Sequence, residues 1–255
     1  MTITFSSPPI NEVVVGKVFE PVRTFFMPHY GRFWELIQDE FPGCEHAIPL
    51  FDQNAEPPVD SVGLLLPRVW FSSEDKTRLV QVQSDRFYCN WRQTDGQQEY
   101  SRFDAIYASY QNYMALFSTF VLSQLSAELV TRRCELTYIN VFPKGREWDS
   151  WENLGGLFRH LKYASQIEGG VLRGGNLQFV YEMPDRAGKL TVSIASAKVA
   201  QLDDVIRMEL TASSAPGLTA DDEDAWFRKA HKAIVQSFCD LTTDEAQRSV
   251  WKRIS

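Results

Sequence analysis

Two stretches of this chain carry the same succession of hydrophobic periods, and that repetition limits its possible folds more than any single motif does. Each stretch reads as a strand, a helix, three strands and a long helix. In the first, residues 10–20 hold Val13, Val14, Val15, Val18 and Phe19, a run of high β-propensity. Tyr30, Phe33, Trp34, Ile37 and Phe41 then recur at helical spacing, with Pro28 in the first turn and Pro42-Gly43 as the stop. Residues 44–61, with Pro49, Pro57 and Pro58, read as a loop. Strands are expected over 62–71, 78–84 and 86–93; in the last, Phe87, Cys89 and Trp91 alternate with Tyr88, Asn90 and Arg92. A long helix over 102–126 presents Phe103, Ile106, Tyr107, Tyr110, Met114, Phe117 and Val121 as a stripe, with Ser101 and Asp104 as a capping pair.

The second stretch begins with a strand over 134–142 and a helix over 151–162. Strands at 177–183, 190–200 and 205–211 follow, then a helix at 222–240. Thr242 and Glu245 suggest a capping box for a short last helix. Glu12 with Val18-Phe19 and Glu135 with Val141-Phe142 echo each other at the same offset. The expectation is an α+β protein with two pseudo-repeats, 1–128 and 129–255, fused as one compact unit. Amphipathic helices cover the dry face of a largely antiparallel sheet, which leaves a polar face or the cleft between halves for binding. Tyr88, Asn90, Arg92, Arg207 and Glu209 fall on polar strand faces, and Arg173 sits in the run Gly169-Gly170-Val171-Leu172-Arg173-Gly174-Gly175. That run precedes a strand rather than opening a helix, so it lacks the dipole of a phosphate loop.

Charge and cysteine spacing narrow the function classes. Lys and Arg total 26 against 33 Asp and Glu, a net charge of -7, so a polyanion would have to find a local basic patch. The four cysteines form no C-x-x-C pair, which fits reduced thiols in a cytoplasmic protein. The start of the chain reads as neither leader nor membrane segment. His29, His46, His160 and His231 form no close ligand spacing; Cys44 and His46 lie two apart in what reads as a loop. No nucleophile elbow or phosphate loop occurs. Neither a metal nor a cofactor is expected, and no catalytic set is assigned.

Pro8-Pro9-Ile10-Asn11-Glu12-Val13-Val14, Arg86-Phe87 through Asn90-Trp91-Arg92, Tyr100-Ser101-Arg102-Phe103, Leu136 with Tyr138-Ile139-Asn140, Ala230-His231 and Trp251-Lys252-Arg253 resemble a sporadically distributed family of uncharacterised bacterial proteins of about this length. The resemblance implies no catalytic residues. The element order also resembles the duplicated modules of TATA-binding-protein-like and gyrase-inhibitor-like folds, a likeness of fold that does not fix function. The leading expectation is a non-enzymatic binding module for a protein partner, a second copy of itself or a small ligand. One alternative is an enzyme whose site combines Tyr88, Arg92, His160, Arg173 and His231. Another is a nucleic-acid accessory protein of a bacterial defence or mobile-element system.

Overall fold

The computed structural model describes residues 3–52, 57–60, 62–94, 99–161, 168, 170–199 and 202–254. Lys162, Gly169 and Ala200, expected in a helix, a connection into a hairpin and a strand, lie outside the described residues. Nine strands are described: β1 (Ile10–Phe19), β2 (Gly43–Ala47), β3 (Arg68–Ser72), β4 (Arg78–Gln83), β5 (Arg86–Arg92), β6 (Thr131–Pro143), β7 (Asn176–Glu182), β8 (Gly188–Val199) and β9 (Leu202–Ser214). Their order in the sheet is β2-β3-β4-β5-β1-β6-β9-β8-β7. The helices α1 (Met27–Trp34), α2 (Arg102–Leu125) and α3 (Glu223–Leu241) complete an α+β protein. The pairs β2·β3, β3·β4, β4·β5, β5·β1 and β7·β8 are antiparallel. Two compact units divide the chain: Glu12–Leu136 with Ser214–Asp224, and Met1–Asn11 with Thr137–Ser213 and Ala225–Ser255.

Several expectations change. Four strands, not three, follow α1, because β2 forms where a loop was expected: Gly43 pairs with Ser72 and Ala47 with Arg68. Cys44, Glu45 and His46 of this edge strand are all exposed, so no alternation of polarity announces it. The strand expected over 62–71 is confined to β3, after Pro67, whose ring removes a donor and fixes φ. The helix expected over 151–162 is a 3-10 helix, Trp151–Gly156, with Asn153 off helical geometry; Gly155 and Gly156 lack the propensity to carry it further. Ser101 stands at the N-cap of α2 without a side-chain cap bond. The last element is a π-helical turn, Ala246–Val250. Its cap comes from Thr243, whose hydroxyl accepts the Ala246 N–H at 3.2 Å, while the Thr242 hydroxyl donates back to the Phe238 carbonyl at 2.7 Å.

In the first unit the dry face of the sheet is aromatic. Phe117 of α2 is fully buried. Its ring lies 5.0 Å from Phe87, 5.1 Å from Phe33, 5.9 Å from Phe25 and 6.1 Å from Phe19. The edge-on approaches of Phe33 and Phe25 set ring edges against ring faces, the arrangement aromatic quadrupoles favour. Helix α1 is short, yet it is fixed at both ends. His29 Nδ1 accepts the Phe26 N–H at 2.9 Å, and Trp34 Nε1 donates to the Phe41 carbonyl at 2.8 Å. In the second unit Leu190, Val192 and Ile194 of β8 and Ile206, Met208 and Leu210 of β9 are buried, as are Trp226, Phe227, Ala230, Ile234 and Phe238 of α3. Trp251 packs 5.0 Å from Phe238 and 5.5 Å from Phe142.

This arrangement makes Phe117 the costliest single truncation in α2. Phe117→Ala is expected to lower the unfolding free energy by about 3–5 kcal/mol. Leu122→Ala, on the exposed side of the same helix, should change it by no more than about 0.5 kcal/mol. Denaturant titration of both variants checks the contrast.

Candidate functional site

Register decides which side chains share the other face of the first unit's sheet. Gln81 stands opposite Tyr88 and Trp70, Gln83 opposite Arg86, and Leu79 opposite Asn90. Directly opposed residues point the same way, so Trp70, Gln81, Gln83, Arg86, Tyr88, Asn90 and Arg92 lie on one face with Arg68. The sequence set Tyr88, Asn90 and Arg92 on a polar face available for binding. Tyr88 and Asn90 are instead only 5% and 6% exposed, and Arg92 is partly buried.

The correction has a physical cause: these polar groups satisfy one another and a covering segment. Gln83 Nε2 donates to the Leu50 carbonyl at 2.7 Å, and Gln83 Oε1 accepts the Leu50 N–H at 2.9 Å, so one amide holds the main chain at residue 50 from both sides. Arg133 donates to both oxygens of Asp52 at 2.5 and 2.7 Å and, through Nε, to Glu135 at 2.6 Å. Glu135 then accepts from the Tyr88 hydroxyl at 2.5 Å. Arg86 makes a bidentate pair with Asp85 at 2.8 and 3.0 Å. Tyr88 lies across Gly16 of β1, where any Cβ would meet the Phe87 carbonyl oxygen and Tyr88 Cδ1 at 2.3 Å.

Protonation follows from this pairing. The bonds from Arg133 hold the Asp52 carboxyl below the usual range, against the opposing effect of burial. The Arg133 guanidinium is raised above its ordinary value, chiefly by Asp52. Burial raises the Tyr88 phenol well above its ordinary value, and the charge of Glu135 adds to this.

Beside this satisfied network lies a second cluster with donors that find no acceptor among the described residues. Arg68 NH1 donates to Gln81 at 2.8 Å, Gln81 to Asn90 at 2.7 Å, and Asn90 to Glu12 at 2.6 Å. The Trp70 ring has the Arg68 guanidinium 5.2 Å from its centroid and the Arg92 guanidinium at 5.9 Å. Arg68 Nε, Trp70 Nε1 and Arg92 Nε are buried N–H donors without an acceptor among the described residues. Neither Arg68 nor Arg92 has a carboxylate ion pair among the described residues. Buried donors are ordinarily paired, and three around one indole make an arrangement suited to an oxygen-bearing anion.

The remaining expected residues belong to the other unit. Arg207 and Glu209 of β9 form an ion pair at 2.6 Å and are partly exposed. Arg173 is exposed in the stretch leading into β7. His160 borders a cavity of about 380 Å³ with Trp151, Leu154, Leu172, Leu177 and Ile194. Its described lining contains no carboxylate and no arginine. His231 stacks on Tyr138 with centroids 5.9 Å apart. The set named for an enzyme is thus divided between the two units, Tyr88 and Arg92 in one and His160, Arg173 and His231 in the other. Among the described residues no three His, Cys, Asp or Glu side chains gather as metal ligands. No described helix is long and apolar enough to cross a membrane. Sequence reasoning named Asn90 and Arg92 but missed Arg68 and Trp70. The signal lay in residues 68–72, where Arg68 and Trp70 alternate with the buried Val69 and Phe71.

No protein-family model matches this chain, and neither a curated protein nor a solved structure does so at a significant level.

Two predictions follow from the chemistry of the site. Because Asp52 is held below its ordinary range, its stabilising effect is present above the unfolded-state value, about pH 4, and is lost as pH falls through the lower folded-state value. Asp52→Asn should therefore be less stable than the parent at pH 7, with the difference shrinking on acidification. Denaturant titrations across a pH series measure the convergence, and parallel curves would contradict it. All four cysteines are free; Cys44 is exposed and the other three are buried. Burial pushes the Cys134 thiol up to about 12 and raises Cys89 further. Cys44 alone should take up a maleimide in the native protein, and Cys89, Cys134 and Cys239 only after unfolding, as peptide mapping would reveal.

Proposed function

We propose that this protein is a non-enzymatic binding module that holds a compact anionic group at Arg68, Trp70 and Arg92, on the polar face of β3–β5. The observation that carries the reading is the set of three buried N–H donors around the Trp70 ring that have no acceptor among the described residues. Two guanidiniums without ion pairs among the described residues supply charge, and the indole N–H supplies a directional third donor. A carboxylate or phosphate oxygen fits these donors. The net charge of -7 disfavours a long polyanion, since its phosphates would approach a repulsive background. The reading accordingly favours a small ligand, or a single acidic group presented by a protein partner, over nucleic acid.

Thermal unfolding in inorganic phosphate, sulfate, acetate and citrate at constant ionic strength tests it. Phosphate and sulfate stabilise many proteins by exclusion from the surface, so the informative quantity is the difference between the parent and the variant Arg68→Gln/Arg92→Gln. The parent should show a saturable rise in Tm with at least one anion, worth about 2.7 kcal/mol at roughly a hundred times Kd. The double variant should keep only the unsaturable part, and Trp70→Phe should weaken the saturable part. Identical responses of parent and double variant to every anion would end the proposal.

A further inference from the structure

Strand β7 ends the sheet order on the side opposite β2, and every residue in it is exposed. The apolar stripe of the neighbouring strand runs onto it. Leu177 stands opposite Ile194, Phe179 opposite Val192 and Tyr181 opposite Leu190. The three β8 side chains are at most 4% exposed, whereas Leu177, Phe179 and Tyr181 are 43%, 39% and 45% exposed. The dry face of the sheet thus reaches its last strand without a neighbour among the described residues to finish it.

The main chain of β7 is equally unfinished, and the ladder shows which residues offer it. The Ser196 N–H donates to the Gly175 carbonyl at 2.9 Å, and the Met183 N–H donates to the Gly188 carbonyl at 2.8 Å. Bonded and non-bonded pairs alternate along an antiparallel ladder, and the register is unbroken from Asn176 to Glu182. Leu177, Phe179 and Tyr181 therefore direct their main-chain groups toward β8. Asn176, Gln178, Val180 and Glu182 direct theirs to the free side. Proteins usually blunt such an edge with Lys, Pro or a bulge, and β7 has none of these.

We propose that β7 pairs antiparallel with β7 of a second copy of this chain, about a twofold axis at Phe179. The strand is self-complementary in that register. The outward residues meet each other, Gln178 with Val180 and Asn176 with Glu182, so their N–H and C=O groups are matched. Phe179 meets its own copy and Leu177 meets Tyr181, which extends the apolar stripe across the axis. Glu182 is the one charged residue of β7, and it faces Asn176 rather than a like charge. A twofold interface of this kind closes on itself as a dimer. The pairing is independent of the anion cluster, which lies in the other unit.

Sedimentation of the purified chain should give twice the monomer mass of 29.2 kDa. Val180→Pro removes an outward donor and leaves the β8 ladder intact, so it should halve the mass while circular dichroism stays unchanged. Cysteine scanning in a Cys44→Ser background keeps the idea testable even if the proline variant unfolds. Phe179 would occupy a non-bonded pair, where the Cα atoms approach within disulfide reach, so Phe179→Cys should oxidise to a covalent dimer faster than Gln178→Cys. A parent that stays monomeric at its highest soluble concentration overturns the proposal, even if it captures a foreign strand. So does a Val180→Pro variant that is folded and still dimeric, or equal cross-linking at 178 and 179.

Discussion

The guanidinium of Arg133 lies between two carboxylates, Asp52 and Glu135, and through Glu135 it reaches the Tyr88 hydroxyl. Positions 52, 88 and 133–135 are far apart in the chain, and this cation holds them together. Removing one partner from such a group leaves a poorly solvated charge, so the arrangement resists partial loss. It also explains how a strand face rich in polar residues is buried. The Gln83 amide and the Arg133 pair fasten the segment around residues 50–52 where water would otherwise lie. Against that closed network, the donors of Arg68, Trp70 and Arg92 that find no acceptor among the described residues stand out chemically.

Where apolar residues recurred at a helical or a two-residue spacing, the periodicity gave the structure. Helices α2 and α3 and strands β4, β5, β7, β8 and β9 follow from apolar residues at spacings of 3.6 or two. Strand β2 was hidden because a short edge strand with exposed Cys44, Glu45 and His46 has no dry side to reveal it. The segment from Trp151 had a helical stripe, but Gly155 and Gly156 weaken any helix that must cross them. Thr242 and Thr243 show a finer limit. Adjacent hydroxyls offer the same chemistry to a cap, and only the path of the chain determines which one faces the free N–H.

The candidate site was half legible. Alternation located Tyr88, Asn90 and Arg92 on one face, yet it gave no means of knowing that the face was covered. Period two separates the sides of a strand without saying what lies above either. Whether a polar side chain is solvated or enclosed depends on partners such as Asp52, Glu135 and Glu12, distant in sequence. Arg68 and Trp70 escaped notice because neither residue type is unusual on a strand. Their significance comes from ring-to-guanidinium distances and from donors that lack acceptors among the described residues. Arg207 and Glu209, by contrast, neutralise each other on β9.

Gly16 sets a boundary on how this face can change. The clash awaiting a side chain there involves the carbonyl oxygen of Phe87 as well as the Tyr88 ring. A ring can rotate away, but a main-chain oxygen within a paired strand cannot move without disturbing β5 along its length. Position 16 is therefore an anchor for redesign. A library that varied residues 68, 70 and 92 would be exploring recognition. One that varied residue 16 would be sampling distorted sheets, and any altered specificity it produced would come from the backbone.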